Sequence, residues 1–303
     1  MSRTIIDPSL TPLASMGYQN IPNILDNGGF EIWQRGASFS TLTAGTYTTD
    51  RWKIFNSGTT PTGTITQETT TTDLSSSAMK INLTNVTSNG SWGMTNNIEN
   101  YQCYLGKTIT ITARINANAT GGMVLFISDG ILTANSIVTA NAIYTTYTLT
   151  FTPSLSATQL YVGFGNVFGP VTSTGTWYLD NFMLAVGSTA IPFVPTNPQQ
   201  DLARCQRYFQ VASNNSATGG AFGTTQVHLG WSFKVTMRVV PTITFGSFSI
   251  NLLEPNTNFS ASSPNIIGAI GTDGVAFIAT IAGGTNGAGA SLASGTISAS
   301  ADL

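Results

Sequence analysis

The amino-acid sequence predicts an all-β protein whose first part is a β-sandwich, and three observations lead to this fold class. Only 8% of the 303 residues are Asp, Glu, Lys or Arg, against about 25% in ordinary globular proteins. Hydrophobic residues make up 41% of the chain, so it has enough apolar material to fold. The polar surface must then come from Thr, Ser, Asn and Gly, and the β-branched Thr fits a pleated, half-exposed sheet.

Short segments that alternate between apolar and polar residues follow one another from residue 23 onward. The clearest is 107–115, in which Ile109, Ile111 and Ala113 share one face with Ile115, while Thr and Arg side chains take the other. Further strands are predicted at 78–83, 123–128, 144–152, 160–164 and 176–185. Turns rich in Asn, Gly, Ser and Pro separate them without helical periodicity, which favours a β-sandwich.

Prolines divide the chain into parts. Residues 1–22 carry three prolines and little pattern, so we expect an extended N-terminal arm there. Three more prolines between 192 and 198 mark a boundary near residue 195. The β-sandwich is therefore assigned to 23–195.

The C-terminal part, 196–303, is predicted as a smaller β-rich domain with a short leading helix at 201–207. Apolar residues alternate over 226–239, and a further strand is expected at 242–250. From residue 260 onward Gly, Ala, Ser and Thr dominate. Such a segment is expected to bury little surface per residue and to depend on neighbouring chains for its order, which suits an oligomerisation domain.

The charge and cysteine content excludes several classes of function. The 11 Lys and Arg residues are scattered and the formal net charge is −2, so we expect no nucleic-acid partner. No apolar run reaches the roughly 18 residues of a membrane-spanning helix, and the N-terminus lacks the apolar core of a secretory signal. Cys103 and Cys205 are interpreted as small buried hydrophobes rather than as a disulfide framework.

Catalytic chemistry has little support in the sequence. The single histidine, His228, is out of phase with the apolar residues of its strand and is expected to point outward, without a group to hold it as a base. Glycan-cleaving enzymes use two carboxylates, but no tight pair follows from the spacing of the candidates, which are Glu31, Asp50, Glu68, Asp73, Glu99, Asp129 and Asp180. We therefore expect a protein that is not an enzyme.

Three motifs stand out in the first part of the chain. Residues 26–36 read Asp-Asn-Gly-Gly-Phe-Glu-Ile-Trp-Gln-Arg-Gly and are followed by Asp-Arg-Trp at 50–52. A Gly-Lys turn and strand lie at 105–110, and Trp-Tyr-Leu-Asp-Asn-Phe at 177–182. Together they resemble jelly-roll domains of bacteriophage tail and fibre proteins, which are similar to carbohydrate-binding modules of polysaccharide-degrading enzymes. The resemblance covers roughly 23–195 and implies a jelly-roll β-sandwich.

Three further motifs lie in the last third of the chain. Residues 202–209 read Leu-Ala-Arg-Cys-Gln-Arg-Tyr-Phe, Met237-Arg238 precedes Pro241-Thr242, and the chain ends with Ser-Ala-Ser-Ala-Asp-Leu. These resemble segments that lie downstream of such modules in phage fibre proteins. The resemblance implies a virion structural protein, a tail fibre or a head fibre, on the surface of the phage particle.

We expect this appendage to be a homotrimer whose N-terminal arm docks onto other virion proteins and whose jelly roll binds host-surface glycans weakly. One alternative is a carbohydrate-binding module of a secreted polysaccharide-degrading system. Another is a purely architectural capsid decoration or tail component.

Aromatic residues are the candidate sugar platforms, because the C–H face of a pyranose ring packs on a flat aromatic ring. Trp92, Tyr101 and Tyr104 lie in Asn- and Gly-rich surroundings and are the predicted glycan-binding residues. Burial in the core or in a subunit interface is the alternative for them. Three other tryptophans lie in or beside the motif segments and are expected in the core: Trp33, Trp52 and Trp177.

The resemblance also implies a possible structural calcium ion, held by Glu31 and Asp180 where the first and last strands of related modules lie together. Carboxylate oxygens suit Ca²⁺. The alternative is that these two side chains make hydrogen bonds at turns and strand ends. No other cofactor is expected.

Overall fold

The protein is described from a computed structural model, in which residues 22–70, 72, 74–85, 90–167, 173–253, 256–267 and 270–303 are described. The predicted arm at 1–22, except Pro22, lies outside the described residues, as does Asp73. The chain divides into two compact units, the first ending at Asp201 and the second comprising Leu202–Leu303. The regular structure is almost entirely β, which confirms the predicted fold class. Within the described part, no helix is long and apolar enough to cross a membrane.

The first unit is a β-sandwich of two antiparallel sheets. Its described strands are β1 (Ser38–Phe39), β2 (Trp52–Asn56), β3 (Thr62–Glu68), β4 (Ala78–Asn85), β5 (Trp92–Asn97), β6 (Ile109–Ala119), β7 (Gly122–Ser128), β8 (Thr133–Thr139), β9 (Thr145–Phe151), β10 (Tyr161–Asn166) and β11 (Gly175–Val186). Sheet A has the order β1-β3-β4-β11-β6-β9, and sheet B has the order β2-β5-β10-β7-β8. Apolar side chains from both sheets meet in one core.

Alternation along the strands builds this core as the sequence predicts. On β6, Ile109, Ile111 and Ala113 are fully buried. Trp52 and Trp177 are also fully buried, which confirms their predicted place in the core. Trp33 is half-buried and packs against the same cluster.

The opposite face of β6 is more covered than the alternation predicts. Thr110 and Thr112 are buried because the chain after β11 folds back over them. The Thr110 hydroxyl donates to the carbonyl of Gly187 at 2.6 Å, and the Thr112 hydroxyl donates to that of Ile191 at 2.6 Å. These bonds satisfy both hydroxyls, so burial carries little penalty.

We call residues 22–37 the opening segment of the sandwich. It contains no strand, and the side chain of Asn27 holds it together. This side chain is fully buried. Its Nδ2 group donates to the carbonyl oxygens of Ile32 and Asp50 and contacts Thr49 Oγ1, at 2.8 to 3.0 Å. Its Oδ1 accepts from the amides of Glu31 and Ile32 at 2.8 and 3.0 Å. The side-chain carboxamide of Asn27 thus satisfies backbone groups that have no partner in a sheet.

Neighbouring residues join this segment to the last strand of sheet A. Gly28 is required here, because a Cβ on it would lie 2.2 Å from the carbonyl oxygen of Phe182. The amide of Phe182 donates to the Gly28 carbonyl at 2.9 Å. The Phe30 ring packs edge-on against Phe182 and tilted against Trp52, with centroids 5.2 and 4.8 Å apart. The Asn-Gly-Gly-Phe motif therefore has a packing role.

We predict that Asn27→Ala lowers the free energy of unfolding of the first unit by roughly 3 kcal/mol or more, because several buried backbone groups lose their partners at once. Urea unfolding followed by tryptophan fluorescence measures this loss. The matched control is Asn85→Ala at the exposed end of β4, which should change stability by less than about 0.5 kcal/mol. Equal losses in the two variants would show that the Asn27 bonds do not stabilise the fold.

The second unit is a closed antiparallel sheet. The helix α1 (Pro198–Gln206) precedes β12 (Phe209–Val211), β13 (Ala217–Phe222), β14 (Gln226–Ser232), β15 (Thr242–Leu252), β16 (Thr257–Ile266), β17 (Gly274–Thr280) and β18 (Gly289–Ser300). Sheet C has the order β12-β18-β13-β14-β17-β16-β15, and β15 also pairs with β18. This last pairing closes the sheet around a second apolar core.

Two expectations for the second unit need correction. The alternation over 226–239 is a strand only as far as Ser232; beyond it, the amides of Phe233 and Met237 bond to the carbonyls of Asp273 and Thr272 instead. The expectation that the Gly- and Ala-rich end buries little is also wrong. Phe277, Leu292 and Ile297 are fully buried in the second core, because the alternation along β17 and β18 directs their side chains into the closed sheet.

The cysteines differ from each other. Cys205 is buried, as predicted, but Cys103 is exposed. The prediction for Cys103 is wrong because it lies on a short 3-10 turn, Tyr101–Tyr104, that buries none of its residues fully.

Candidate functional site

The outer face of sheet B, which turns away from the core, carries aromatic, glycine and amide residues in three rows across the strands. The first row is Phe55, Gly93, Gly165, Val124 and Ile137; the second is Lys53, Thr95, Gly163, Phe126 and Asn135; the third is Asn97, Tyr161, Ser128 and Thr133. We call this surface the groove face. The intervening residues of these strands, such as Ile54 and Met94, belong to the sandwich core.

Glycines keep the centre of the groove face low. A Cβ on Gly163 would lie 2.2 Å from Cζ of Phe126, and a Cβ on Gly93 would lie 2.6 Å from Cε1 of Phe55. Gly165 pairs with Gly93, and a Cβ on Gly165 would lie 2.4 Å from the Cα of Gly93. Larger residues would clash at these positions, so glycine allows the two rings to lie over the neighbouring strands.

Three aromatic rings lie beside one another on the groove face. Phe126 is 1% exposed, and its ring stands nearly perpendicular to those of Phe55 and Tyr161, with centroids 5.8 and 6.2 Å apart. Phe55 and Tyr161 are half-buried. Phe126 therefore serves as the floor, and the other two rings are the surfaces that a ligand can contact.

A cavity of about 250 Å³ opens between these rings. Its lining residues are Lys53, Phe55, Thr95, Asn97, Phe126, Gln159, Tyr161 and Val167. Ligand pockets for drug-sized molecules are usually about 300–1,000 Å³, so this one is large enough only for a small group, about the size of one or two sugar units. The polar lining can donate and accept hydrogen bonds around that group.

A buried ion pair fixes one end of the groove face. Arg51 precedes β2, has a left-handed backbone with φ of 72°, and its side chain is 1% exposed. Its Nε bonds to Asp26 Oδ2 at 3.0 Å, and its Nη2 donates to the carbonyl of Asn97 at 2.7 Å. Arg51 thereby ties the end of β5, where Asn97 lines the cavity, to the opening segment.

Of the three predicted sugar platforms, Trp92 is wrong. Its indole is fully buried in the sandwich core, and its Nε1 donates to the Leu42 carbonyl at 3.4 Å. Tyr101 and Tyr104 lie on the short 3-10 turn, are half-buried and pack against the core. Neither is among the described residues that line the cavity. Their role in glycan binding stays a prediction.

The sequence held a signal for the groove face other than the Asn- and Gly-rich surroundings from which Trp92, Tyr101 and Tyr104 were predicted. In β5 and β10 glycines lie next to apolar residues. The side chains of Met94 and Phe164 point into the core, and Gly93 and Gly163 occupy positions of the outer face. Glycine on the outer face of a central strand indicates that a side chain, a ligand or another backbone approaches the strand closely. The continuous apolar run of β7 marks the other component, since it places Phe126 on the outer face.

The possible calcium ligands Glu31 and Asp180 both contact the segment 75–77. Glu31 accepts from the amide of Ser76 at 2.6 Å, and the fully buried Asp180 accepts from the Ser75 hydroxyl. Both carboxylates thus accept hydrogen bonds within the fold, which is the alternative to a metal role. Within the described ranges, no group of three His, Cys, Asp or Glu side chains is placed to hold a metal. Since Ca²⁺ takes six to eight oxygen ligands, a calcium site here stays a prediction.

His228 points outward from β14, as predicted, and its ring lies 5.4 Å from that of the exposed Phe222. This contact supplies no carboxylate to orient the imidazole. The arrangement gives no support to nucleophilic catalysis at His228.

Asp129 holds the turn beside the groove face. Its Oδ1 accepts from the amides of Ile131 and Leu132 at 2.8 and 2.6 Å, and its Oδ2 accepts from that of Ser154 at 2.7 Å. Burial alone would raise the pKa of Asp129, but the amides of Leu132, Ser154 and Ile131 prevail, so its pKa lies below the usual value. The turn thereby holds Gly130 against Gln159, which lines the cavity.

We predict that Asp129→Asn lowers the unfolding free energy by about 1–3 kcal/mol at pH 7, because an amide cannot accept all three bonds. The folded-state pKa is depressed, so the carboxylate stabilises the fold above its unfolded pKa of about 3.9 and loses this effect as pH falls through the folded pKa. The difference between wild type and variant should therefore shrink in acid. Urea unfolding at pH 7 and near pH 3 measures it, and a difference that does not depend on pH would contradict the assignment.

Comparison with known proteins finds neither a matching family model nor a matching curated protein. Solved structures similar to the chain include the enzymatically active domain of bacteriophage CBA120 tailspike protein 4, at 13% identity and a TM-score of 0.40 over 55% of this chain. A Stig cyclase from Fischerella sp. TAU matches 55% of the chain at 14% identity and a TM-score of 0.41. The family 11 carbohydrate-binding module of a Clostridium thermocellum cellulosomal cellulase matches 52% at 13% identity and a TM-score of 0.34.

These matches cover very different shares of the other proteins. They span 21% of the tailspike chain, 96% of the cyclase and 98% of the carbohydrate-binding module. The three proteins differ in function, and similarities at this level assign none of these functions to the chain.

Proposed function

We propose that this chain is a non-enzymatic glycan-binding protein of a bacteriophage appendage, and that the groove face holds the glycan. The proposal of glycan binding rests on one observation. The half-buried rings of Phe55 and Tyr161 lie on a sheet face where glycines leave space above the backbone. A sugar ring presents an apolar C–H face and a rim of hydroxyls. The groove face offers aromatic surface and amide groups to match both.

The geometry favours weak, reversible binding of a short glycan segment. A ring lying on Phe55 or Tyr161 would place its hydroxyls within reach of Thr95, Asn97 and Gln159, which line the same cavity. A cavity of about 250 Å³ buries little of a long polymer. Useful attachment to a cell surface then depends on several copies binding at once, which raises avidity without new contacts.

The motifs of the sequence support the phage part of the proposal. The Asp-Asn-Gly-Gly-Phe and Asp-Arg-Trp motifs, through which the chain resembles phage fibre proteins, supply the buried contacts of Asn27, Phe30 and Arg51. We propose that the second unit assembles three copies and that the N-terminal arm docks onto other virion proteins on the tail or the capsid.

A carbohydrate-binding module of a secreted polysaccharide-degrading system is the second candidate, because the same groove face would serve it equally well. The two differ in location, and imaging of labelled protein on purified phage particles separates them. A purely architectural capsid or tail component is the third, and it requires that the groove face bind no glycan.

We predict that Phe55→Ala and Tyr161→Ala each weaken binding to the best glycan of an array about tenfold, which corresponds to the roughly 1.4 kcal/mol that an aromatic contact contributes. Affinity electrophoresis of the full chain in gels containing that glycan measures the change. Thermal unfolding of both variants should remain cooperative, since the two side chains lie outside the main core.

The matched control is Tyr178→Ala, which removes a half-buried tyrosine from sheet A, where it pairs with Lys80 and Asn116. It should bind as wild type does. Tyr104→Ala tests the sequence-based platform in the same gels. If no array glycan binds the wild type, or if the double variant of Phe55 and Tyr161 binds unchanged, the groove face is not the glycan site.

We predict that the full chain is a trimer in solution at micromolar concentration. Sedimentation equilibrium measures the mass, with three chains per particle expected. A monomer across this concentration range would contradict the assembly role of the second unit, while the glycan-binding prediction would still stand on its own test.

A further inference from the structure

We infer that the second unit assembles through the outer face of β13, β14 and β17, and that its partner is a second copy of this chain. We call this surface the assembly face. The inference rests on the proposed assembly of three copies and names the surface that makes the contact. Three observations lead to it: an exposed aromatic ring, glycines that lie beside open space, and the absence of charged residues from the strands of sheet C.

The assembly face consists of three rows, each with one residue from each of the three strands. The first row is Phe222, Gln226 and Thr280; the second is Gly220, His228 and Ile278; the third is Thr218, Gly230 and Ala276. Residues between the rows, such as Ala221 and Val227, are buried in the core of the closed sheet. Because side chains alternate along a strand, the three rows lie on the outside.

Large apolar side chains are exposed on this face in a single copy. Phe222 is 69% exposed, and its ring lies 5.4 Å from that of His228. Leu253 is 65% exposed and lies over Gly289, which is the strand partner of Gly220. Phe222 and Leu253 therefore flank Gly220. Exposed apolar side chains that lie together mark an interaction surface, whereas single ones need no explanation.

Glycines leave the backbone of the assembly face open. A Cβ on Gly230 would lie 3.9 Å from the carbonyl oxygen of Thr218, and a Cβ on Gly220 would lie 3.5 Å from that of Ala288. These are the nearest atoms, and neither is a clash. On the groove face, in contrast, aromatic rings lie over the glycines. Glycine in a strand often marks the close approach of a ligand or another backbone. No other part of the described chain approaches Gly230 in this way, so a neighbouring molecule fits there.

The charge distribution of the second unit favours a second copy as this neighbour. The seven strands of sheet C contain no Asp, Glu, Lys or Arg. About a quarter of the residues of ordinary proteins are charged, and the charges of such a partner would lose hydration here without gaining an ion pair. The same face of a second copy brings no charge. Interface cores are likewise poor in charged residues and rich in aromatic ones.

The arrangement of the face suits a closed ring of three copies. In such a ring each copy uses two different patches, and one patch meets the other on the next copy. Phe222 lies in the first row and Gly230 in the third. The Phe222 ring of one copy therefore packs over the open backbone at Gly220 and Gly230 of the next.

Sedimentation equilibrium of full-chain variants tests this contact. Phe222→Ser should weaken each contact about ten- to a hundredfold, the range for burial of one large apolar side chain. Gly230→Val should also dissociate the trimer, because its side chain occupies the space that the neighbouring copy needs. Within one copy that side chain meets open space, and Val forms strands better than Gly. The variant should therefore keep the circular dichroism spectrum of the wild type.

Two matched controls should remain trimers. Ile143→Ser removes an apolar side chain that is 73% exposed in the first unit. Thr244→Leu enlarges an exposed side chain on β15, which lies three strands from β14 in either direction around the closed sheet.

The outcomes separate this inference from the proposed assembly of the second unit. If the wild type is a trimer and either Phe222→Ser or Gly230→Val keeps its mass on dilution, the assembly face is overturned while the assembly role stands. The same holds if the controls dissociate as readily as the two variants. If the wild type is a monomer throughout, both are overturned.

Discussion

The burial of the Asn27 side chain is the constraint on which the sandwich depends. Residues 22–37, the described residues before β1, form no strand, so their backbone groups need partners that no ladder provides. Asn27 supplies them for Glu31, Ile32 and Asp50 at once. This fixes the entry into β2, and through the Arg51 and Asp26 pair it fixes the end of β5 as well. The geometry of the groove face therefore follows from hydrogen bonds made inside the fold.

The groove face shows how glycine and aromatic residues depend on each other in this sheet. Glycine weakens a strand because it has no side chain to pack, and β5 and β10 lie in the middle of sheet B. The rings of Phe55 and Phe126 replace the missing side chains by lying over Gly93 and Gly163. The same arrangement that restores packing leaves Phe55 half-buried and able to meet a ligand. The stability of the sheet and the proposed binding thus depend on the same residues, which is why the double variant of Phe55 and Tyr161 needs a folding control.

Much of the fold was predictable because successive side chains of a strand point to opposite faces of the sheet, so apolar residues at every second position indicate which face is buried. It placed β4, β6, β9 and β11 within a few residues of their bounds. The irregular contacts of Asn27 were not predictable, since they join residues by tertiary geometry rather than by period. Trp92 was assigned to a sugar site from its polar neighbours, whereas its phase with Met94 puts it inside. On β7, both faces are apolar, so alternation there gave no sign of which residue pointed outward.

The three consecutive residues of the segment 51–53 have three different environments. Arg51, Trp52 and Lys53 follow one another, yet the first is buried in an ion pair, the second fills the core and the third faces the groove. Because the strand alternates, the register that buries Trp52 also fixes the side on which Lys53 emerges. A slip of one residue would bury an ammonium and expose an indole. Folding of the Asp-Arg-Trp motif therefore determines that Lys53 lies on the outer side of sheet B, so the chemistry of the groove face is a consequence of the register that stabilises the core.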